Sequence, residues 1–377
     1  MGRNKICQLT NVHSPLDHRI YYKEAQSLAA AGYDVTVIGP GDEALAGVHR
    51  GVRICTIPNP ASVFGRLTNL LRLMRKGWST GADLYHLHDP ELLPMGLVLR
   101  VLGKKVIYDC HEHFPQVAYA RRWIPRPLRL PMSLMIDLCE RLTACVLNGV
   151  LGVVDEQRQR FRHCLFEAVK NYPRTEWFTP NGNGRTPGDC ELLHVGSLSR
   201  DRGSEFLLDV MHELSSTHPN VRLLTVGPFQ TEADRQAFER KLEHYELRDR
   251  VECRTETVPY DQLGELIGRH RIGLIPGQPS VKNLAPFVPT KLFEYLACGI
   301  PVVASALPSI RSFYEAGDWG SLADPTDPRD HAAAIGHLLD HADEASCKGR
   351  RGRSLVEEQF NWSAESHRLL NFYERVW

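Results

Sequence analysis

Three stretches of this chain hold residue types whose spacing can do chemistry. The first is residues 288–305, VPTKLFEYLACGIPVVAS. Pro289 can open a helix and Gly299 can close it, directly before an apolar strand. Lys291, Glu294 and Tyr295 then fall on its first turns, at spacings of three and four. The first amides of a helix can meet an anion, so a lysine there can neutralise phosphate. A glutamate one turn later can accept hydrogen bonds from two vicinal hydroxyls, as on a ribose. By spacing alone, the same residues also fit an ordinary amphipathic helix carrying a Lys–Glu pair.

The second stretch is Asp109-Cys110-His111-Glu112-His113, which follows the strand-like residues 105–108. Loops at the carboxyl ends of strands are where open α/β sheets bind ligands. Two histidines and an acid could bind zinc. His111 and His113 sit on one turn, however, and no distant third ligand is indicated, so no metal is expected. The third group is dispersed. His13, Asp17 and Arg19 flank the start of the first helix, and His86 and His88 end a strand in DLYHLHDPE. His13, Asp17 and Arg19 could contact an acceptor or a donor phosphate, and His88-Asp89, at the strand's carboxyl end, could line the cleft. Asp17 fits equally a helix-dipole role, and the inward-facing histidine of the pair fits the core.

The elements that must position these residues are readable from periodicity. Short β-rich apolar runs cover residues 6–12, 33–39, 52–58, 84–88, 105–109 and 150–154. They recur at 191–197, 221–227, 251–256, 272–276 and 301–305. Helical patterns lie between most of them. That alternation predicts parallel sheets in doubly wound α/β domains. Ser14-Pro15-Leu16-Asp17 reads as a capped helix start, with the helix running to about Ala31 and stopping at Gly32. Residues 170–189 are rich in Pro and Gly and read as a linker, after which the cycle restarts at Cys190. Two such domains imply a cleft that opens and closes.

Composition bounds the function. The 377 residues suffice for two domains, and 45 basic residues balance 45 acidic ones. Nucleic acid as the main partner would require uncompensated positive charge. A 42% hydrophobic content argues against disorder. None of the ten cysteines falls in a Cys-x-x-Cys spacing, which reads as a reducing, cytosolic compartment. No secretory signal is read at the start. The apolar residues 128–154 are interrupted by Arg129, Asp137, Glu140 and Arg141, against a spanning helix. Arg121, Arg122, Trp123, Arg126 and Arg129 form a basic cluster that fits a solvated loop or anionic headgroups.

PTKLFEYLACGIPVVAS closely resembles the nucleotide-sugar-binding segment of retaining GT-B glycosyltransferases of family 4 (group 1). HSPLDHRIYYKEAQSLAAAGYDVTVI, KKVIYDCHEHFP, LLHVGSLSRDRG and the closing WSAESHRLLNFYERVW resemble that family in the same order. The resemblance implies an α/β fold of two Rossmann-like parallel-sheet domains facing across a cleft. Residues 1–170 would bind the acceptor and 190–360 the nucleotide sugar, joined by the 171–189 linker. Residues 361–377 would form a helix returning toward the first domain. It further implies that Glu294 holds the donor ribose, flanked by Thr290, Lys291 and Leu292. Where the family has a strand Gly, then Arg, then a Lys five residues on, this chain has Gly196, Ser197 and Arg202. Lys291 or Arg200 would supply the charge missing at Ser197. The family's first glutamate is replaced by Pro286, and Asn283 lies nearby.

His111 corresponds to the family's active-site histidine, so His111, Arg202 and Lys291 are the expected catalytic groups. His13, Asp17, Arg19 and His88 are expected on the acceptor side. The implied reaction transfers a sugar with retained configuration from a nucleotide-diphosphate sugar to a saccharide or lipid-linked acceptor. It would take place in the cytoplasm during surface polysaccharide or glycolipid assembly, with room for peripheral contact with the inner membrane leaflet. No metal and no cofactor beyond the donor are implied. Two alternatives share these features: a GT-B nucleotide-sugar epimerase, and a non-catalytic nucleotide-sugar-binding subunit.

Overall fold

A computed structural model describes residues 4–60, 62–111, 115, 119, 125–180, 191–284 and 287–377. Arg121, Arg122, Trp123, Glu112, His113, Cys190, Pro286 and residues 181–189 of the expected linker lie outside it. The chain forms two compact units, Met1–Asn171 with Ser363–Trp377, and Tyr172–Trp362. Residues 172–180, read from the sequence as linker, belong to the second unit. Tyr172 packs edge-on against Phe293, and Phe178 against Tyr260.

The first unit is built on β1 (Lys5–Leu9), β2 (Asp34–Pro40), β3 (Gly47–His49), β4 (Val52–Ile57), β5 (Leu84–Leu87), β6 (Lys105–Cys110), β7 (Gly149–Gly152) and β8 (Phe166–Ala168). They form one sheet in the order β3-β4-β2-β1-β5-β6-β7-β8. All neighbours are parallel except β3 and β4. The second unit has β9 (Leu192–Val195), β10 (Leu223–Val226), β11 (Val251–Arg254), β12 (Ile272–Ile275), β13 (Val302–Ser305) and β14 (Gly320–Ala323). Its sheet is wholly parallel, in the order β11-β10-β9-β12-β13-β14. Both are doubly wound Rossmann-like sheets. All eleven strands expected from the sequence are present. The three unexpected ones, β3, β8 and β14, each stand at a sheet edge, where one missing neighbour removes the need for a long apolar run.

The two faces of the first sheet differ in kind. Leu9, Tyr85, Leu87, Val106, Tyr108 and Val150 share one face, as the period of two dictates. They pack against Leu73, Leu93, Leu99 and Ala144 of helices Val63–Ser79, Leu93–Val101 and Arg126–Val146. The alternate residues, among them Gln8, His86 and Asp109, look the other way. There they meet the first helix and the final helix Trp362–Val376, whose Tyr373 hydroxyl lies 2.9 Å from His86 Nδ1.

The first helix does not begin at Pro15. Ser14 to Asp17 close a turn, with the Asp17 amide donating to the Ser14 carbonyl at 2.9 Å. The helix begins after Arg19 as a wide π-turn, Ile20–Ala25, and continues as Gln26–Ala30. The cap is Asp17, whose Oδ1 accepts from the amides of Arg19 at 2.7 Å and Ile20 at 3.1 Å. An aspartate binds two adjacent free amides better than the serine three residues earlier, which moves the start by one turn. Gly32, with φ 96°, ends it as expected.

Candidate active site

In the second unit the chemistry gathers at the carboxyl end of β9. The chain leaves β9 through Gly196, with φ 138°. A methyl group on Gly227 would stand 2.2 Å from the Gly196 carbonyl oxygen. The two strand-end loops therefore touch through backbone, and only glycine fits. Ser197 follows, half-buried, then buried Ser199 and exposed Arg200 and Arg202. Gly203, in the left-handed region at φ 78°, opens helix Ser204–Leu214.

Helix Thr290–Ala297 is locked onto β9 by Tyr295. Its hydroxyl accepts from the Val195 amide at 2.8 Å and donates to the Leu193 carbonyl at 3.3 Å. The ring lies on Gly273 of β12, where a Cβ would come within 2.6 Å of it. That anchor fixes the turn before it. Lys291 Nζ lies 3.1 Å from Glu294 Oε2, and Lys291 Cε is 3.8 Å from where a Gly196 Cβ would stand. Glu294 is buried and Lys291 one-third exposed, so the ammonium lies over the glycine loop with its stem covered. Burial lowers the pKa of His194 on β9 to about 4, and the positive fields of Arg202 and Lys291 push in the same direction. Both cations thus bear on the end of β9.

The amides of Thr290 and Leu292, expected to face a donor, already donate to Val288 and Pro289 carbonyls at 2.9 Å. The Leu292 side chain is fully buried; it supports the helix rather than reaching a ligand. Asn283 spends its amide on the Asp201 and Gln278 carbonyls, so it braces the Arg202 loop.

The first unit assembles a buried charge network on the polar face of its sheet. Arg19 is its cation. Its guanidinium donates to Asp109 at 2.9 Å and 3.1 Å and to the Val169 carbonyl at 2.8 Å, and it lies 2.9 Å from Glu24 Oε1. Arg19 is thus committed inside the unit, and its action on any ligand runs through Asp109. Asp109 Oδ2 also lies 2.9 Å from His111 Nε2, and His111 Nε2 is 3.1 Å from His88 Nδ1. His13 packs its ring 5.4 Å from that of His111 and sets Nε2 3.7 Å from Asp89. His13, His88 and His111 therefore converge, while Asp17 serves as the helix cap beside them.

The protonation states follow from burial and from Arg19. Burial opposes ionisation of Asp109, but Arg19 and His111 outweigh it and hold its carboxyl well below the usual range. Burial raises Glu24 well above the usual range, against Arg19. Burial lowers His86 well below its ordinary value and His88 to about 4. His111 is also penalised by burial, yet the Asp109 carboxylate raises it overall. The result is one permanent cation, one permanent anion, neutral histidines and one histidine biased toward its charged form.

Glu24, His86, His88 and Asp109 could each offer one ligand atom, all within 4.8 Å of one another, a grouping that sequence spacing did not indicate. Arg19 stands against both carboxylates of this set at 2.9 Å. That guanidinium already neutralises the two carboxylates and would repel a divalent ion placed between them, so the donor set does not suit a cation.

Sequence reasoning placed Asp89 with His88 at the carboxyl end of its strand and missed Glu24 and Tyr373. Asp89 accepts from the Thr10 hydroxyl at 2.8 Å and the Asn11 amide at 2.7 Å, tying the first loop to the second. Its placement directly after His88 and before Pro90 was the available signal. Glu24 and Tyr373 lie on helical faces that carry no local mark.

A family model described as Glycosyl transferases group 1 matches residues 189–341, and one described as Glycosyltransferase Family 4 matches residues 19–165. A D-inositol 3-phosphate glycosyltransferase of Acidothermus cellulolyticus is 27% identical over 190 residues, 49% of this chain. The match spans 40% of that relative's length. A sucrose-phosphate synthase from Thermosynechococcus elongatus superposes with a TM-score of 0.77 at 20% identity, over 99% of each chain. Anabaena HepE, solved with UDP and glucose, superposes with a TM-score of 0.73 at 14% identity, over 99% of this chain and 100% of that one. At these identities the two structures speak for the fold.

Proposed function

The chain belongs to the group 1, family 4 glycosyltransferases of GT-B fold, and from that premise we propose that it moves a sugar from a nucleoside-diphosphate sugar to a saccharide or lipid-linked acceptor with retention of configuration. The observation that carries the donor reading is the placement of Lys291 over Gly196 while it pairs with buried Glu294. Glu294 accepts hydrogen bonds from the ribose hydroxyls. Lys291 and Arg202 neutralise the diphosphate, and Lys291 supplies the charge that Ser197 lacks. As the glycosidic bond breaks, negative charge grows on the leaving diphosphate. Two fixed cations there stabilise that charge more than the ground state, so this chemistry requires no metal.

In the first unit His111 meets the transferred sugar or acceptor. Its Nε2 is committed to Asp109, leaving Nδ1 as the ring's remaining nitrogen for a sugar or acceptor hydroxyl. Arg19 and Asp109 fix that tautomer and orientation, as a carboxylate does for a catalytic imidazole. His13 completes the acceptor side, and buried His88 backs His111 from within.

The test is nucleotide binding by calorimetry, with UDP, GDP, ADP and TDP, in the presence and absence of EDTA. One diphosphate should bind, EDTA should not change it, and Glu294→Ala should weaken it at least tenfold, about 1.4 kcal/mol. Unchanged affinity in Glu294→Ala removes the ribose assignment. With a donor in hand, the anomeric configuration of the product, read by NMR, decides between retention and inversion.

A further inference from the structure

A glutamine side chain stands inside the first unit's sheet, where the next rung of a strand ladder would be. The β6–β7 ladder pairs Ile107 with Gly149 and ends with Cys110 opposite Gly152. The chain then turns through residues 153–156 into a four-residue helix, Gln157–Arg160. Gln157 opens that helix and sends its buried side chain back between the two strand ends. Its Oε1 accepts from the amides of Val153 at 2.8 Å and Val154 at 3.2 Å. Its Nε2 donates to the Cys110 carbonyl at 3.1 Å and lies 3.5 Å from Cys110 Sγ.

Residue type explains why a glutamine is there. Where two parallel strands part, their ends carry backbone groups that the ladder no longer pairs, and burying such groups unpaired is costly. A primary amide offers an acceptor and two donors from one side chain. It therefore serves the two amides after β7 and the carbonyl at the end of β6 together, which neither an apolar side chain nor a carboxylate of that length does. Gly152 makes the room: a Cβ there would stand 2.6 Å from Gln157 Oε1. A helix of one turn does not hold its own place. Arg160, at its end, ties it to Asp137 and Glu140 of helix Arg126–Val146.

The residue after Cys110 is His111. The Cys110 carbonyl and the His111 N–H belong to one rigid peptide plane, so a hydrogen bond that holds the carbonyl also holds the start of His111. Side chains alternate along a strand. Cys110 points into the apolar core, whereas Asp109 and His111, two positions apart, share the polar side. His111 Nε2 reaches Asp109 Oδ2 at 2.9 Å while its backbone keeps to the line of β6. Asp109 holds the ring, and Gln157 holds the peptide from which the ring hangs.

Resting on the role given to His111 above, we propose that Gln157 is a positioning residue for that imidazole: its amide, inserted between β6 and β7, fixes the Cys110–His111 peptide and with it the ring's contact with Asp109. Gln157 is buried and acts only through His111. Without its amide the end of β6 relaxes, the Asp109–His111 contact loosens, and the ring samples both tautomers.

The test is nitrogen NMR of the histidine rings in the whole chain, with the His111 signals assigned by their loss in His111→Gln. No ligand is needed, so the result stands apart from the transferase reading, which loss of transfer in His111→Gln tests separately. Wild-type His111 should show one neutral tautomer, protonated at Nε2. In Gln157→Met both tautomers should appear. The titration midpoint, which the Asp109 carboxylate raises, should fall by about one unit, the lower end of what an opposite charge in contact is worth. Gln157→Glu keeps an acceptor for Val153 and Val154 and so protects the fold, but its carboxylate cannot donate to the Cys110 carbonyl. Its His111 tautomers should mix as that carboxyl ionises. Gln159→Met, exposed on the same turn, should match the wild type. One tautomer and an unshifted midpoint in the Gln157 variants, whatever their melting temperature, makes Gln157 a structural residue only and overturns the proposal. A Gln159→Met spectrum that moves as theirs does also overturns it.

Discussion

The two units share an architecture and keep their charge in opposite places. The first buries Arg19, Glu24, Asp109 and the Glu140–Arg160 pair and exposes Leu134, Leu138 and Leu142 of helix Arg126–Val146. The second exposes its ion pairs, such as Arg235 with Glu232 and Glu239 and Arg269 with Glu265. Leu284 is the one exposed large hydrophobic side chain described in it. The same parallel sheet thus supports two chemistries. The second unit is an ordinary water-facing domain with one specialised strand end. The first has a polar interior on one face of its sheet and an apolar exterior over the other.

The comparison can be broken most forcefully by acid, because both units bury neutral histidines. Burial lowers His88 in the first unit, and His194 and His331 in the second, each to about 4. A folded value below the unfolded one means a contribution that is present above pH 6.5 and lost as pH falls toward 4. Each tenfold loss of proton affinity on folding corresponds to about 1.4 kcal/mol, so three such groups together outweigh any single substitution at the charge networks. Hydrogen exchange followed across that window should show both units losing protection. Loss in one unit alone would mean that their interiors do not titrate alike.

The buried charge itself is tested by Arg19→Met. It leaves Asp109 buried with His111 as its remaining charged partner, and should cost about 3–5 kcal/mol in urea denaturation. A smaller change would mean that Asp109 takes up a proton and that the network is softer than its distances suggest. In the second unit, Tyr295→Phe removes the partner of the Val195 amide and should cost about 1–3 kcal/mol. It should also weaken nucleotide binding, because Lys291 and Glu294 hang from that anchor. Unaltered binding would separate the anchor from the site. Arg235→Met is the smallest case: its pairs are fully in water, and the urea midpoint should not move. A measurable loss there would erase the contrast with Arg19.

How much of this was legible in the sequence follows the same division. Lys291, Glu294 and Tyr295 lie within one turn and a half of one helix, so their spacing alone placed them together. The first unit's network draws Arg19 and Glu24 from the start of the first helix, His86 from β5, Asp109 from β6 and Tyr373 from the final helix, and no local pattern links these four elements. Arg19 read as a ligand contact because a surface arginine near a loop ordinarily is one; its burial depends on Asp109, ninety positions away. The first helix began a turn late because two candidate caps competed and propensity alone could not rank them. Helix Arg126–Val146 was visible only as an interrupted apolar run, since nothing local says which side faces inward.

The final helix has a consequence for how the molecule is made. Ser363–Trp377 belongs to the first unit and buries Phe372 and Tyr373, with Tyr373 against His86 on the polar face of its sheet. During synthesis the N-terminal residues leave the ribosome first, but the last segment they need is translated last. The second unit is contiguous and can finish before the first. Until then, Asp109 and its partners stand on a half-covered sheet, and the oldest part of the nascent chain is the last to mature.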